Sequence, residues 1–392
     1  MNFNFSDRVA SLKPSAIREI LKFSSLPGMI PFSAGNPAVE TFPSAEVAEI
    51  TAKLLAEKAG EVLQYSVTEG YTPLRDALKK RMAEKYGCFK ETDELIITSG
   101  AQQVMELTTK SLCNDGDTII CENPSFIGSL NAFRSYNVRL CGIDVEADGM
   151  NMEMLEEALK REKNAKFIYT IPNFQNPSGV TMSYEKRKKL YELAKKYNIP
   201  ILEDNPYGDL RFAGEDIPAI KTLDTDGLVI YAGTFSKVLS PGLRVGFAIA
   251  PAALMPKIIV CKQVSDVHTC LLSQCIAYEF MTGYDFDAHL EKNRGIYRQK
   301  AKLMMDCLDA KLADHLNYNK IEGGLFIWCR LPEEIDMLDL CKRGIDKGVA
   351  VVPGNAFAMD DTLTNHNIRL NFSTPSDEQI VRGVDILAEL FK

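Results

Sequence analysis

The chain has 392 residues, 46% apolar and 25% charged, which suits one large packed domain with a smaller companion. A net charge of −8, from 45 basic and 53 acidic residues, leaves no basic surface for nucleic acid, and no apolar run reaches the roughly eighteen residues of a membrane span. Ten cysteines lie at irregular intervals with no C-x-x-C pair and no Cys/His cluster of zinc spacing, so no metal site is expected. Cysteines of this kind, and a polar, aromatic start without the apolar core of a signal peptide, point to a reducing, cytoplasmic setting.

Residues 1–30 read as an N-terminal arm carrying one short helix, 15–23, with Ile17, Ile20 and Leu21 as its apolar stripe and Arg18 off that stripe. The turn Ser33-Ala34-Gly35-Asn36-Pro37 follows, where the backbone at Gly35 can approach a ligand closely. A helix is predicted over 44–60, then Leu63-Gln64-Tyr65-Ser66, then a further helix opened by Gly70-Tyr71-Thr72-Pro73 with its proline where a missing N–H is harmless.

From residue 95 short apolar runs alternate with helical patterns, as in an α/β domain with a largely parallel sheet. The runs fall at 95–98, 118–121, 166–171, 200–203, 228–231 and 246–250. Five of the six are followed at once by a polar or aromatic cluster, and ligands of open α/β sheets bind beyond the carboxyl ends of the strands. Those five clusters are therefore expected in one crevice.

The first, Ser99-Gly100-Ala101-Gln102-Gln103, runs into a helix and offers free N–H groups to an anion, or is an ordinary strand-to-helix turn. Glu122-Asn123-Pro124-Ser125-Phe126 presents Phe126 either as a flat surface for an aromatic ring or as a core side chain. In Pro172-Asn173-Phe174-Gln175-Asn176-Pro177-Ser178-Gly179 two prolines flank a polar loop and aim the Asn176 amide, although turn chemistry alone accounts for the composition. Asp204-Asn205-Pro206-Tyr207 ends an apolar strand with an acid that wants a cationic partner, and a protonated pyridine nitrogen is one such partner.

The fifth cluster, Thr234-Phe235-Ser236-Lys237 with Pro241-Gly242-Leu243-Arg244 behind it, sets hydroxyls and two cations on one loop. Hydroxyls and a guanidinium suit a phosphate. Lys237 beside a bound phosphate suggests a Schiff base with pyridoxal phosphate, while the alternative is a solvated surface lysine.

Past residue 285 the pattern changes to a smaller α+β domain: a helix over 286–312, a strand near 325–329, a helix over 337–347 and a last helix from Asp377. Arg369 alternates with Ile368 and Leu370 on another strand, as a solvated charge or as a bidentate carboxylate site. The boundaries follow: arm 1–30 packing with the small domain, large cofactor-binding domain 31–285, small domain 286–392.

Taken together, Ser99 to Gln103, Gln175 to Gly179, Asp204 to Tyr207, Ser236-Lys237 with Arg244, and Arg369 resemble the class I/II aminotransferases of fold type I. Within that family the chain is similar to the subgroup of 2-aminoadipate and kynurenine aminotransferases and the aminotransferase-like domain of MocR-type regulators. The resemblance covers essentially the whole chain. It implies an aspartate aminotransferase-like α/β fold, a large domain with a mostly parallel mixed sheet plus the smaller α+β domain. It also implies pyridoxal 5′-phosphate as cofactor and an amino acid and a 2-oxo acid, 2-oxoglutarate among them, as substrates.

Carried over by residue, the resemblance implies that Lys237 forms the Schiff base, Asp204 pairs with the pyridine nitrogen, and Asn176 and Tyr207 bond the ring oxygen. Phe126 stacks on the ring, and Gly100, Ala101, Gln102, Thr234, Ser236 and Arg244 hold the phosphate. Tyr65 is expected to reach the phosphate of a neighbouring subunit, making the active unit a homodimer with shared sites. Arg369, Asn176 and Gly35 hold the substrate carboxylate, while Asn36 and Arg18 face its side chain, of dicarboxylic, aromatic or aliphatic type.

The chain departs from the family pattern at Ala34 and Asn36, at Ala101 and Phe126, where Ser and Tyr are common, and at Gly208. These departures bear on the substrate. Two other functions share the resemblance: a lyase on the same fold, and a non-catalytic effector sensor. For the sensor, the acidic charge and the short stretch before the core leave no room for a DNA-binding module.

Overall fold

The computed structural model describes residues 3–10, 26–360 and 365–391. Arg18 and the helix expected over 15–23 lie outside the described residues.

An eight-stranded sheet forms the larger part: β1 (Asp93–Thr98), β2 (Thr118–Asn123), β3 (Arg139–Glu146), β4 (Gly149–Met150), β5 (Ala165–Thr170), β6 (Ile201–Asp204), β7 (Val229–Thr234) and β8 (Gly246–Pro251). Its spatial order is β1-β8-β7-β6-β5-β2-β3-β4. The pairs from β7 through β3 are parallel, and β8 runs antiparallel to both its neighbours. Each of the six apolar runs is a strand. The one run without a polar cluster behind it is β8, whose carboxyl end points away from the others.

Alternation along the central strands explains their unbroken apolar character. Ile119, Cys121, Phe167, Tyr169, Leu202 and Ile230 join one core layer, while Ile120, Ile168, Ile201 and Val229 join another under the helices Met152–Arg161 and Tyr184–Tyr197. Both faces are covered, so every strand residue is selected for burial. The same alternation puts Asp204 on the face of Leu202 and Glu203 on the opposite one. There Glu203 accepts the N–H groups of Ile220 and Lys221 and caps the short helix Ile220–Leu223. Strand β3 was not among the expected runs. Its half-exposed pattern, broken by Arg139 and Gly142, reflects a place near the sheet edge with only the two-residue β4 beyond it.

The remaining strands, β9 (Asn317–Tyr318), β10 (Phe326–Arg330), β11 (Val352–Pro353) and β12 (Asn367–Asn371), make a second, antiparallel sheet ordered β11-β12-β10-β9. The helices Phe286–Leu312, capped by Asp285, and Asp377–Leu390, opened by a reciprocal Ser376–Gln379 capping box, pack on each other and share one apolar core with β10 and β12. The chain near residue 30 pairs with this part. Ile30 donates to Gly348 O and accepts from Ala350 N, and Phe32 O accepts from Asn371 N. This carries the next residues, 33–36, from the second sheet towards the strand ends of the first. Among the described residues no helix is long and apolar enough to cross a membrane.

Candidate active site

Beyond the carboxyl ends of β1, β2, β5, β6 and β7 lies a cavity of about 750 Å³, to which all five polar clusters contribute. Ala101, Gln102, Phe126, Asn176, Asp204, Tyr207, Thr234, Ser236, Lys237 and Arg244 line it, together with Gly35, Asn36 and Arg369 from the approaching chain and the second sheet. Gly100 lies just behind this lining. Tyr65 is outside it, 81% exposed and edge-on to His268.

At one end sits an anion cradle. Gly100 takes φ +80° and starts the helix Ala101–Leu112, and among the described residues no side chain caps it, which leaves the N–H groups of Ala101 and Gln102 to meet a ligand. Arg244, itself in the left-handed region, donates to Ser99 O at 3.1 Å and Ser236 Oγ at 3.3 Å. Thr234 Oγ1 is 3.0 Å from Ser236 Oγ. Behind the cradle the buried Lys262 binds Asp266, which also accepts from Ser99 Oγ and Gln103 Nε2 and so holds the start of the helix.

Asp204 forms the floor. Its Oδ2 accepts from Tyr169 at 2.8 Å, while Oδ1 is buried with no hydrogen-bond partner among the described residues. Burial pushes the carboxyl up to about 7, and the Tyr169 bond opposes that rise. A buried acid with one oxygen unsatisfied calls for a donor or a cation, which a protonated pyridine nitrogen provides. The residues present therefore fit the cofactor that the motifs suggested: a phosphate cradle, a flat Phe126 wall and an acid at the floor.

The segment 33–35 organises the opposite wall through three carbonyls. Ser33 O and Ala34 O accept from Arg369 Nη2 at 3.0 and 3.1 Å, and Gly35 O accepts from Lys237 Nζ at 2.8 Å. Arg369 is only 3% exposed. Its Nη1 reaches Asn176 Oδ1 at 2.9 Å, its guanidinium carbon lies 4.1 Å from the Phe326 ring centroid, and Nε is buried with no partner among the described residues. Hydrogen bonds to neutral oxygens and stacked rings hold it, and among the described residues no carboxylate neutralises it. Burial lowers its pKa to about 10, which still leaves it charged. Lys237 is pulled down to about 8 by burial first, then by Arg369 and Arg244. The site thus presents a buried cation wanting an anion, an amine poised near neutrality, and an acid wanting a cation.

A family comparison identifies the arrangement. The model of the class I and II aminotransferases matches residues 27–387. The chain belongs to that family. An aromatic-amino-acid aminotransferase of Thermococcus litoralis is 41% identical to it, over 99% of this chain and 94% of that relative. A 2-aminoadipate transaminase of Thermus thermophilus is 37% identical, over 99% and 96%. A kynurenine aminotransferase structure from Pyrococcus horikoshii, in complex with PMP, superposes with a TM-score of 0.94 at 37% identity, covering 98% of this chain and 96% of that one. The protein is a pyridoxal phosphate-dependent aminotransferase with the aspartate aminotransferase-like fold.

Several participants in this aminotransferase site were not singled out from the sequence. Tyr169 and its neighbour Ser129 lie in apolar-looking segments, and only the pairing of β5 with β6 brings the phenol to Asp204. Glu122 is fully buried on the other face, where it accepts from Thr170 Oγ1, Ile171 N and Gln175 Nε2 and steadies the loop bearing Asn176. The Ser33 and Ala34 carbonyls act through backbone that carries no side-chain signal. Arg187 hides in a charged helix, yet it is fully buried and ties Pro172 O and Asn173 Oδ1 to Ile217 O and Pro218 O.

Proposed function

We propose that this enzyme moves the amino group of a bulky L-amino acid, of the aromatic or 2-aminoadipate type, to 2-oxoglutarate. The observation that carries the reading is the wall on which Arg369 and Lys237 hold consecutive carbonyls, Ala34 O and Gly35 O. A carboxylate on Arg369 then brings the α-carbon and its amine towards Lys237 Nζ. Pyridoxal phosphate, when bound, supplies the electron sink that lets a Cα–H bond break heterolytically.

The protein's own groups have separable tasks. Arg369 and Asn176 bind and orient the α-carboxylate, which selects loss of the α-proton over loss of the carboxyl group. The Lys237 amine takes that proton and can return it, and a pKa near 8 suits both directions at neutral pH. Asp204 holds a positive charge at the floor, Tyr207 and Asn176 donate above it, and the cradle fixes the phosphate.

The rest of the cavity wall includes Pro31, Met105, Ile127 and Phe326, with Asp204 as its one acid among the described residues. Apolar and anionic side chains suit such a wall better than cationic ones. The names of the relatives agree with that choice. We further propose the division into an arm, a large domain over 31–285 and a small domain over 286–392. A homodimer in which Tyr65 reaches the partner's phosphate cradle, and a cytoplasmic setting, complete the reading.

The test is to add single L-amino acids to the yellow holoprotein. With 2-aminoadipate or kynurenine the visible band should fall and one equivalent of the matching 2-oxo acid should appear, faster than with lysine or arginine. A band that no amino acid alters would favour a lyase or an effector sensor instead.

A further inference from the structure

Asp204 uses its two oxygens differently: among the described residues Oδ1 has no partner, and Oδ2 accepts from the Tyr169 hydroxyl. Tyr169 pairs with Leu202 across β5 and β6, so Asp204 stands two residues further along on the same face. A long side chain reaches such a diagonal neighbour. Phe133, 5.1 Å away and edge-on, fixes the phenol ring, and Ser129 Oγ of the helix Ile127–Arg134 lies 2.8 Å from the phenol oxygen.

A phenol has one proton and an ionised carboxylate has none. The single Tyr169 proton has two acceptors within 2.8 Å, Ser129 Oγ and Asp204 Oδ2, and the ionised carboxylate, the stronger acceptor, takes it. That proton points towards the floor of the site, and the Ser129 contact holds the phenol oxygen in place. The phenol is fully buried and held well above its ordinary pKa, so it remains a donor throughout the working range. Other titratable groups near Asp204 are Glu122, across the sheet, and Tyr207 in the cavity.

We propose that Tyr169, braced by Ser129, is a positioning residue that keeps Asp204 ionised, so that the shared proton stays on the cofactor's ring nitrogen. This rests on the reading of Asp204 as the partner of that nitrogen. Without the Tyr169 proton the carboxylate becomes more basic and draws the shared proton towards itself. The ring nitrogen then loses positive charge, and the chromophore at Lys237 holds its own proton to higher pH.

The experiment uses holoprotein reconstituted with pyridoxal phosphate labelled with ¹⁵N in the ring, for the parent, Tyr169→Phe, Ser129→Ala and Asp204→Asn. The ¹⁵N shift reports where the proton lies, and the pH midpoint of the visible band reports the charge beside the chromophore. In Tyr169→Phe the ¹⁵N signal should move towards the neutral-pyridine value and the midpoint should rise by about one pH unit. Ser129→Ala should shift both the same way, by less. If either variant holds the cofactor with parent values for both readouts while Asp204→Asn moves them, the role of Tyr169 is overturned and that of Asp204 stands. If Asp204→Asn also leaves both unchanged, the underlying reading of Asp204 falls. Should Tyr169→Phe not retain the cofactor, Ser129→Ala decides by the same criterion.

Discussion

Arg369 and Asp204 are buried charges of opposite sign, and among the described residues neither has an ionic partner. That arrangement is costly in a resting protein and useful in one that binds a carboxylate and a cationic ring. Arg369→Ala should lower kcat/KM for amino acids by about a hundredfold or more, mainly through KM, because it truncates one side of a buried charge pair. Cofactor affinity should stay within about threefold, since the cradle lies at the other end of the cavity. Steady-state kinetics and equilibrium dialysis of the same preparation separate the two effects. In the cofactor-free protein, Asp204 adds a pH signature. Its carboxyl titrates at about 7 when folded and near 3.8 when unfolded, so between those values the native form binds the extra proton. Stability should therefore fall as pH rises from about 4 to about 7 and then level, with Asp204 contributing at most about 4 kcal/mol. Glu122, also raised to about 7 by burial, acts in the same window and remains in an Asp204→Asn variant. Melting temperatures of the cofactor-free proteins should show a smaller decline for Asp204→Asn than for the parent. Parallel curves would remove Asp204 from the account.

At the scale of elements, the cradle depends on close backbone approach. Gly246 at the start of β8 meets Gly100, where an added Cβ would lie 2.7 Å from the Gly100 carbonyl carbon, and a Cβ on Gly100 would collide with the Arg244 guanidinium. Gly100→Ala, at φ +80°, should weaken pyridoxal phosphate binding by about tenfold or more, through local strain of about 1–2 kcal/mol and a displaced arginine. Fluorescence titration of the cofactor-free variant measures this, and unchanged affinity would mean that the cradle tolerates the shift. The glycines, prolines and hydroxyls of these turns were legible in the sequence because turn chemistry is local. So were the six buried runs, since two covered faces leave an uninterrupted apolar signature. What escaped depended on pairing between distant segments. Tyr169 reads as one more core aromatic until β6 lies beside β5. Arg187 reads as a surface charge until four loop carbonyls and amides close around it. Arg369 was legible as a strand residue, and its burial under Phe326 follows only from the approach of residues 33–36.

For the molecule as a whole, the cavity needs both sheets, and one more surface bears on its completeness. Tyr65 and His268 make an exposed edge-on pair, with Leu63, Val67, Val264 and Val267 exposed within a few residues of it. Exposed apolar side chains gathered in this way suit contact with a second copy. The protein should sediment as a dimer, and Leu63→Asp combined with Val264→Asp should shift it to monomer with weaker cofactor retention. A parent that sediments as a monomer with full activity would contradict the shared site.

Borohydride reduction of the holoprotein, followed by peptide mapping by mass spectrometry, tests the role of Lys237 at the bond itself. A single phosphopyridoxyl adduct is expected on Lys237, lost in Lys237→Ala together with turnover while pyridoxal phosphate still binds noncovalently. An adduct on another lysine, or a Lys237→Ala protein that still transaminates, would contradict that role.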